Sequence, residues 1–471
     1  MKTFYLIISL LVGIISFGQT IPLQLDAALK KLDNDAQFKH AIVSMYVVDS
    51  KTGKVIFDKN AQIGLAPASC QKVVTSVSTF EMLGKEFKYK TEIGYDGIIK
   101  DGVLNGDLII IGYGDPTFGS ERYKKYTDFY SLDLLEKVRL YPIKQISGKI
   151  FIDNSKFEYQ QIPKGWIWED IGNYYGAGCG ALNWLENTYP VYLKSGKSIN
   201  DSVKILNKDS LLFNDGVTLL NNLKSAIEGS GDNAFVRLAP YQTNGSIEGT
   251  IPVNEKFFIV RGAMPNPVNY FTDYMWKYLN RNKISFNYVS TNNYYNQAFY
   301  RNPSGYKFES IFVNLSPPLD SINYWFLKKS INLYGEAFVK TIAYEKTKFG
   351  STDTGIGIIK NFWSKKGIEP SALNIIDGSG LSPANRITTN ALVTIMQYAK
   401  QQQWFPSFYN ALPEMNGIKM KDGYISGVRS YTGYIKSKSG NEYTFSFIVN
   451  NFDGSPGTVR EKMWKVLDIL K

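Results

Sequence analysis

Two alternating stretches at opposite ends of this 471-residue chain constrain its fold more than any other feature. Near the start, "AIVSMYVVDSKTGKVIFDKN" alternates on either side of Ser50-Lys51-Thr52-Gly53 and reads as a β-hairpin. Near the end, "GIKMKDGYISGVRSYTGYIKSKSGNEYTFSFIVNNF" reads as three strands, and "REKMWKVLDILK" follows as a closing helix. Each set buries its apolar face most simply by joining the other in one antiparallel sheet flanked by helices. From roughly Tyr89 to Arg301 the texture is different, with short β-rich segments punctuated by Gly, Asn and Asp. The expected fold class is therefore α+β, with residues 19–88 and 302–471 forming one unit and residues 89–301 a large β-rich insertion.

The first eighteen residues, "MKTFYLIISLLVGIISFG", place Lys2 before an apolar run that is short for a bilayer span. They read as a secretory signal peptide cleaved near Gly18, which predicts an exported, periplasmic protein. The lysines behind the net charge of +11 are scattered without a basic block or nucleic-acid motif. That pattern argues against nucleic acid and leaves weak attraction to anionic envelope polymers or membrane headgroups. With two cysteines and one histidine, His40, the chain has poor material for a zinc hydrolase or a Ser-His-Asp triad. No metal and no cofactor is expected.

In "LAPASCQKVVTSVSTFEML", Ser69 and Lys72 lie one turn apart at the head of an apolar helix. The hydroxyl is a nucleophile if the amine is neutral. An ordinary lysine amine, with a pKa of roughly 10.4, becomes neutral at physiological pH only through burial or nearby positive charge. The backbone N–H of Ser69 supplies half of an oxyanion hole. The spacing alone is common, and Ser304 and Lys307 share it. Serine enzymes that recognise penicillin carry S-x-x-K, S-x-N and K-[TS]-G in that order. Three Ser-Ile-Asn stretches are among those that match S-x-N: Ser198-Ile199-Asn200, Ser321-Ile322-Asn323 and Ser330-Ile331-Asn332. The last falls between two helices, where both side chains can enter a cleft. Literal K-[TS]-G matches at Lys51, Lys194 and Lys438 are less well placed than Lys421-Asp422-Gly423, on the first strand of the final meander.

Taken together, "PASCQKVVTS", "SINLYGE", "NGDLIIIGYGDPTF", "GWIWEDIGNYYGAG", "IIDGSGLSPANRITTNAL" and "KDGYISGVRSYTGY" resemble the class C low-molecular-mass penicillin-binding proteins, the D-alanyl-D-alanine carboxypeptidase/endopeptidase family, along nearly the whole mature chain. The resemblance implies a penicillin-recognising serine transpeptidase-like fold. It also implies hydrolysis of D-alanyl bonds in peptidoglycan peptides, with β-lactams as further ligands. Residue by residue, Ser69 would be the nucleophile, Lys72 the base and Ser330 the proton relay, with Asn332 holding Lys72 and the substrate amide. Lys421 would depress Lys72 and attract the substrate carboxylate, and the N–H of Tyr424, after Gly423, would complete the oxyanion hole. Asp422 departs from the family's hydroxyl, and Tyr424 from its more common small hydroxyl residue. An ionised Asp422 would either repel a carboxylate or pair with Lys419 or Arg429 and face away. It predicts reduced carboxypeptidase activity or a preference for masked carboxylates. The alternatives are a β-lactamase or esterase on this scaffold, or a non-catalytic wall-binding relative. In an oxidising compartment, Cys70 and Cys179 have the option of forming a disulfide.

Overall fold

The computed structural model describes residues 20–123, 138, 140–206, 216–291 and 308–471. The expected signal peptide and the Ser304/Lys307 pair lie outside the described residues. The two alternating stretches form one antiparallel sheet. Its strands are β1 (Ile42–Asp49), β2 (Val55–Lys59), β3 (Glu414–Met415), β4 (Ile418–Ile425), β5 (Val428–Lys436) and β6 (Glu442–Asn450). The order is β3-β4-β5-β6-β1-β2, and β1 joins β6 in register from Ile42↔Asn450 to Asp49↔Tyr443.

The period of two gives this sheet two buried faces. Val43, Met45, Val47, Phe445 and Phe447 pack against helix α1 (Ile21–Asp33), which offers Leu25, Leu29 and Leu32, and against the closing helix Pro456–Leu467. The other face meets helix Thr389–Lys400, which lies against helix α2 (Lys72–Leu83), in which every residue from Lys72 to Phe80 is buried. A helix buried all round belongs at the centre of a large core. Around α2 stand helices Leu319–Lys328, α3 (Asn332–Thr347), Thr352–Lys365 and Thr389–Lys400. Thr388 starts the last of these by accepting the N–H of Ala391 at its N-cap.

The middle of the chain builds a five-stranded mixed sheet from Lys90–Lys100, Val103–Gly112, Gln145–Asp153, Ser285–Thr291 and Glu309–Leu315. Glu309–Leu315 pairs with Lys90–Lys100 as an edge strand. Two three-stranded sheets share its apolar core through Val191, Leu223, Val236, Ile247 and Val260. Contact between the middle stretch and α3 runs through Lys340, fully buried, whose Nζ donates to Gln160 O at 2.8 Å and Cys179 O at 2.9 Å.

The disulfide considered between Cys70 and Cys179 is not formed; both are buried free thiols. Each is committed elsewhere. Cys70 Sγ donates to Lys421 O at 3.1 Å, and Cys179 sits among Asn183 and the Lys340 contacts. Burial pushes the Cys70 thiol up to about 11, so it stays protonated and unreactive beside the nucleophile.

Candidate active site

A single 3₁₀ turn, Ala68–Gln71, leads into α2 and carries Ser69. Ala68 has φ 45°, a left-handed conformation that costs a non-glycine residue about 1–2 kcal/mol. This bend presents a half-buried Ser69 three residues before the first residue of the helix. Lys72 is fully buried, and its Nζ lies 2.9 Å from Ser69 Oγ, 2.6 Å from Asn332 Oδ1 and 2.8 Å from Ser379 O.

Those three partners define what the nitrogen can do. The two carbonyl oxygens can only accept, so they take two N–H bonds. In a neutral amine the lone pair is then free to meet Ser69, whose O–H can donate to it. The arrangement is therefore that of a serine hydroxyl hydrogen-bonded to a base. Electrostatics agree with this. Burial first, and the Lys421 charge second, bring Lys72 down to about 7, against the opposing influence of Asp377, Glu336 and Asp422. Activity should rise with pH in proportion to the neutral fraction and level off above about 7, which a kcat/KM profile between acid and mildly alkaline pH will check.

Strand β4 brings the third element. Its register pairs Lys421 with Thr432, Gly423 with Ser430 and Tyr424 with Arg429 on β5. A Cβ on Gly423 would lie 2.6 Å from Pro67 O and 2.9 Å from Ser69 N, so only glycine lets this strand run so close to the nucleophile's backbone. Tyr424, the next residue, is exposed. The expected pairing of Asp422 with Lys419 or Arg429 needs correction. Lys419 goes to Glu414, and the carboxylate of Asp422 binds its own neighbour, Lys421 Nζ, at 3.0 Å.

Several groups that hold Lys72 were not evident from the sequence. Asp377 is fully buried. Its Oδ1 accepts from Gln71 Nε2 (2.8 Å), Gly380 N (2.8 Å) and Asn385 Nδ2 (3.0 Å). Its Oδ2 accepts from Ser382 N (2.7 Å) and Trp166 Nε1 (2.9 Å). The loop so fixed points Ser379 O at Lys72. Glu336, on α3, accepts the N–H of Gly378 at 2.9 Å, and burial and Asp377 push its carboxyl up. From the middle stretch, Tyr175 O accepts from Asn332 Nδ2 at 2.7 Å, and Trp166 packs with Ile162, Leu381 and Ile425. Most of these contacts are to backbone atoms, which no side-chain motif encodes. Gln71, inside "SCQK", and Asp377, inside the "DGSG" stretch, were the readable clues.

The structure thus gathers Ser69, Lys72 and Asn332 by direct bonds, with Lys421 near enough for its charge to act on Lys72. Ser330 is half-buried at φ 57°, two residues before Asn332, and its hydroxyl bonds to neither Ser69 nor Lys72. Of the rival S-x-N stretches, Asn323 instead accepts from Ser76, and Ser198 and Asn200 lie exposed in the middle region. Among the described residues no group of His, Cys, Asp and Glu is placed to hold a metal ion. No described helix is long and apolar enough to cross a membrane.

Residues 25–468 match the sequence profile of the D-Ala-D-Ala carboxypeptidase 3 (S13) family. The chain is 23% identical over 445 residues to a D-alanyl-D-alanine carboxypeptidase of Actinomadura sp. (strain R39), covering 89% of this chain and 80% of that protein. It is 24% identical over 429 residues to D-alanyl-D-alanine carboxypeptidase DacB of Haemophilus influenzae, covering 87% and 85%. The crystal structure of penicillin binding protein 4 (dacB) from Haemophilus influenzae superposes with a TM-score of 0.77 at 21% identity, over 94% of this chain and 97% of that one. At that identity the superposition speaks for the fold.

Proposed function

The chain belongs to the D-Ala-D-Ala carboxypeptidase 3 (S13) family, and from that premise we propose that it cleaves D-alanyl bonds of peptidoglycan stem peptides and crosslinks through a Ser69 acyl-enzyme. The observation that carries the proposal is the Lys72 amine 2.9 Å from Ser69 Oγ, with both of its other positions taken by acceptors. Lys72 withdraws the hydroxyl proton as Oγ attacks the carbonyl carbon. The N–H groups of Ser69 and Tyr424 receive the oxyanion. The proton passes from Lys72 to the leaving amine as the peptide bond breaks, and Ser330, which makes no bond to Lys72 in this structure, relays it only if substrate binding turns its hydroxyl toward the amine. Water then attacks the ester, Lys72 takes its proton and returns it to Ser69 Oγ as the ester bond breaks, and the shortened peptide leaves.

In this reading residues 19–88 and 302–471 contain the catalytic unit, with Glu309–Leu315 pairing into the sheet of the β-rich insertion, which adds Tyr175 and Trp166 to the site's support. The apolar run after Lys2 exports the protein to the periplasm, where its substrate lies. β-Lactams, which structural neighbours such as a β-lactam complex of the Haemophilus protein hold, would acylate the same serine. Digesting purified peptidoglycan with wild type and Ser69→Ala, and identifying fragments by mass, tests the proposal. Loss of D-alanine release and of crosslink cleavage in the variant is expected. Equal digestion by both proteins overturns it.

A further inference from the structure

The ammonium of Lys421 is the positive charge beside the nucleophile, yet it is already engaged. It is 1% exposed and donates to Asp422 O at 2.7 Å and Asp422 Oδ1 at 3.0 Å. The Asp422 side chain is 33% exposed, and on β4 it is flanked by Lys421, whose carbonyl accepts from Cys70 Sγ, and by Gly423, which lies against Ser69 N, so it sits at the edge of the site. Burial works against that charge, but Lys421, and Arg429 after it, outweigh burial and hold the carboxyl below the usual carboxylate range. Arg429 adds its charge to that of Lys421 at Asp422 and is itself held against two rings. Its guanidinium lies 5.6 Å from the rings of both Tyr424 and Tyr431, and its Nε donates to Tyr431 Oη at 3.1 Å.

Resting on the acyl-enzyme reading above, we propose that Asp422 acts as a built-in carboxylate that selects substrates whose leaving residue carries a carboxamide in place of its α-carboxylate. A substrate carboxylate arriving beside Lys421 would have to displace Asp422 or lie against it, and like charges in contact at a binding site are strongly disfavoured. A carboxamide has no such conflict. Its N–H₂ donates to the free lone pairs of Asp422 while its oxygen accepts from Lys421. Amidated stem peptides, or crosslinks through an amidated residue, are the substrate class this chemistry recognises.

The test compares kcat/KM for diacetyl-L-lysyl-D-alanyl-D-alanine and for its C-terminal amide, using wild type, Asp422→Thr, Asp422→Asn and Ser69→Ala. Wild type should favour the amide by about tenfold or more, the scale of one lost polar contact or charge conflict. Both Asp422 variants should move the ratio toward the acid by a comparable factor. Asp422→Asn keeps the shape and removes only the charge, so it serves even if the threonine variant folds poorly. Ser69-dependent turnover that favours the acid in wild type, or a ratio unmoved in both variants, overturns this inference alone. Turnover of neither peptide, or turnover that survives in Ser69→Ala, overturns the acyl-enzyme reading and this inference with it.

Discussion

Lys72→Met should lower kcat/KM by about 10²–10⁴, the range expected when a positioned general base is removed, while leaving substrate binding comparatively intact. The reasoning is local. Methionine fills much of the same buried volume, so α2 keeps its packing, but Ser69 is left with no group to take its proton. Asn332 Oδ1 and Ser379 O each lose the N–H they accept at 2.6 and 2.8 Å. The residual rate should also lose its dependence on pH around 7, since the group that titrates there is gone. Release of D-alanine followed across pH for both proteins measures the two effects at once. A variant with the wild-type pH profile would mean that another group carries the proton.

Asp377→Ala should be the most disruptive single change near the site. It removes an acceptor from five buried donors: the Trp166 indole and the N–H groups of Gly380 and Ser382 lose their bond, and the Gln71 and Asn385 amides keep only those to Asp377 O and Ser382 O. Each unpaired buried polar group costs about 1–3 kcal/mol, and water entering the vacated space offsets part of the sum. A net loss of about 3–5 kcal/mol, typical when one member of a buried polar network is removed, is a large share of the stability of an ordinary protein. Activity should fall further than stability, because the loop would no longer hold Ser379 O against Lys72. Asp377→Asn should rescue poorly, since its amide nitrogen would face donors. Thermal unfolding and turnover measured on both variants check this; a near-normal asparagine variant would argue that the loop is held by other contacts.

The sheet was legible because its alternating strands obey the period of two at both ends of the chain, and the closing helix because its apolar positions recur on one face. Ser69 and Lys72 were legible because both chemistry and spacing are local. Choosing Ser330-Ile331-Asn332 over its rivals depended on placing it between two helices, and Asn332 indeed bonds to Lys72. What the residues did not disclose is carried by backbone atoms and long-range contacts. Tyr175 O on Asn332 and Ser379 O on Lys72 use groups every residue has. The Asp422 partner was misjudged for a related reason. Successive side chains of a strand point to opposite faces, yet the long Lys421 side chain bends back to reach the adjacent carboxylate. Cys70 and Cys179 were eligible to pair by compartment alone, and burial in separate polar contacts decided otherwise.

The central claim is that an unprotonated lysine amine faces the serine hydroxyl at physiological pH. NMR titration of the full-length protein, with Lys72 assigned by comparison with Lys72→Met and observed through its side-chain ¹³Cε shift, reads that amine directly. The inflection is expected at about 7. In Lys421→Met it should move higher, because the neighbouring cation no longer opposes protonation. An inflection near the ordinary lysine value of about 10.4 in the wild type would contradict the account.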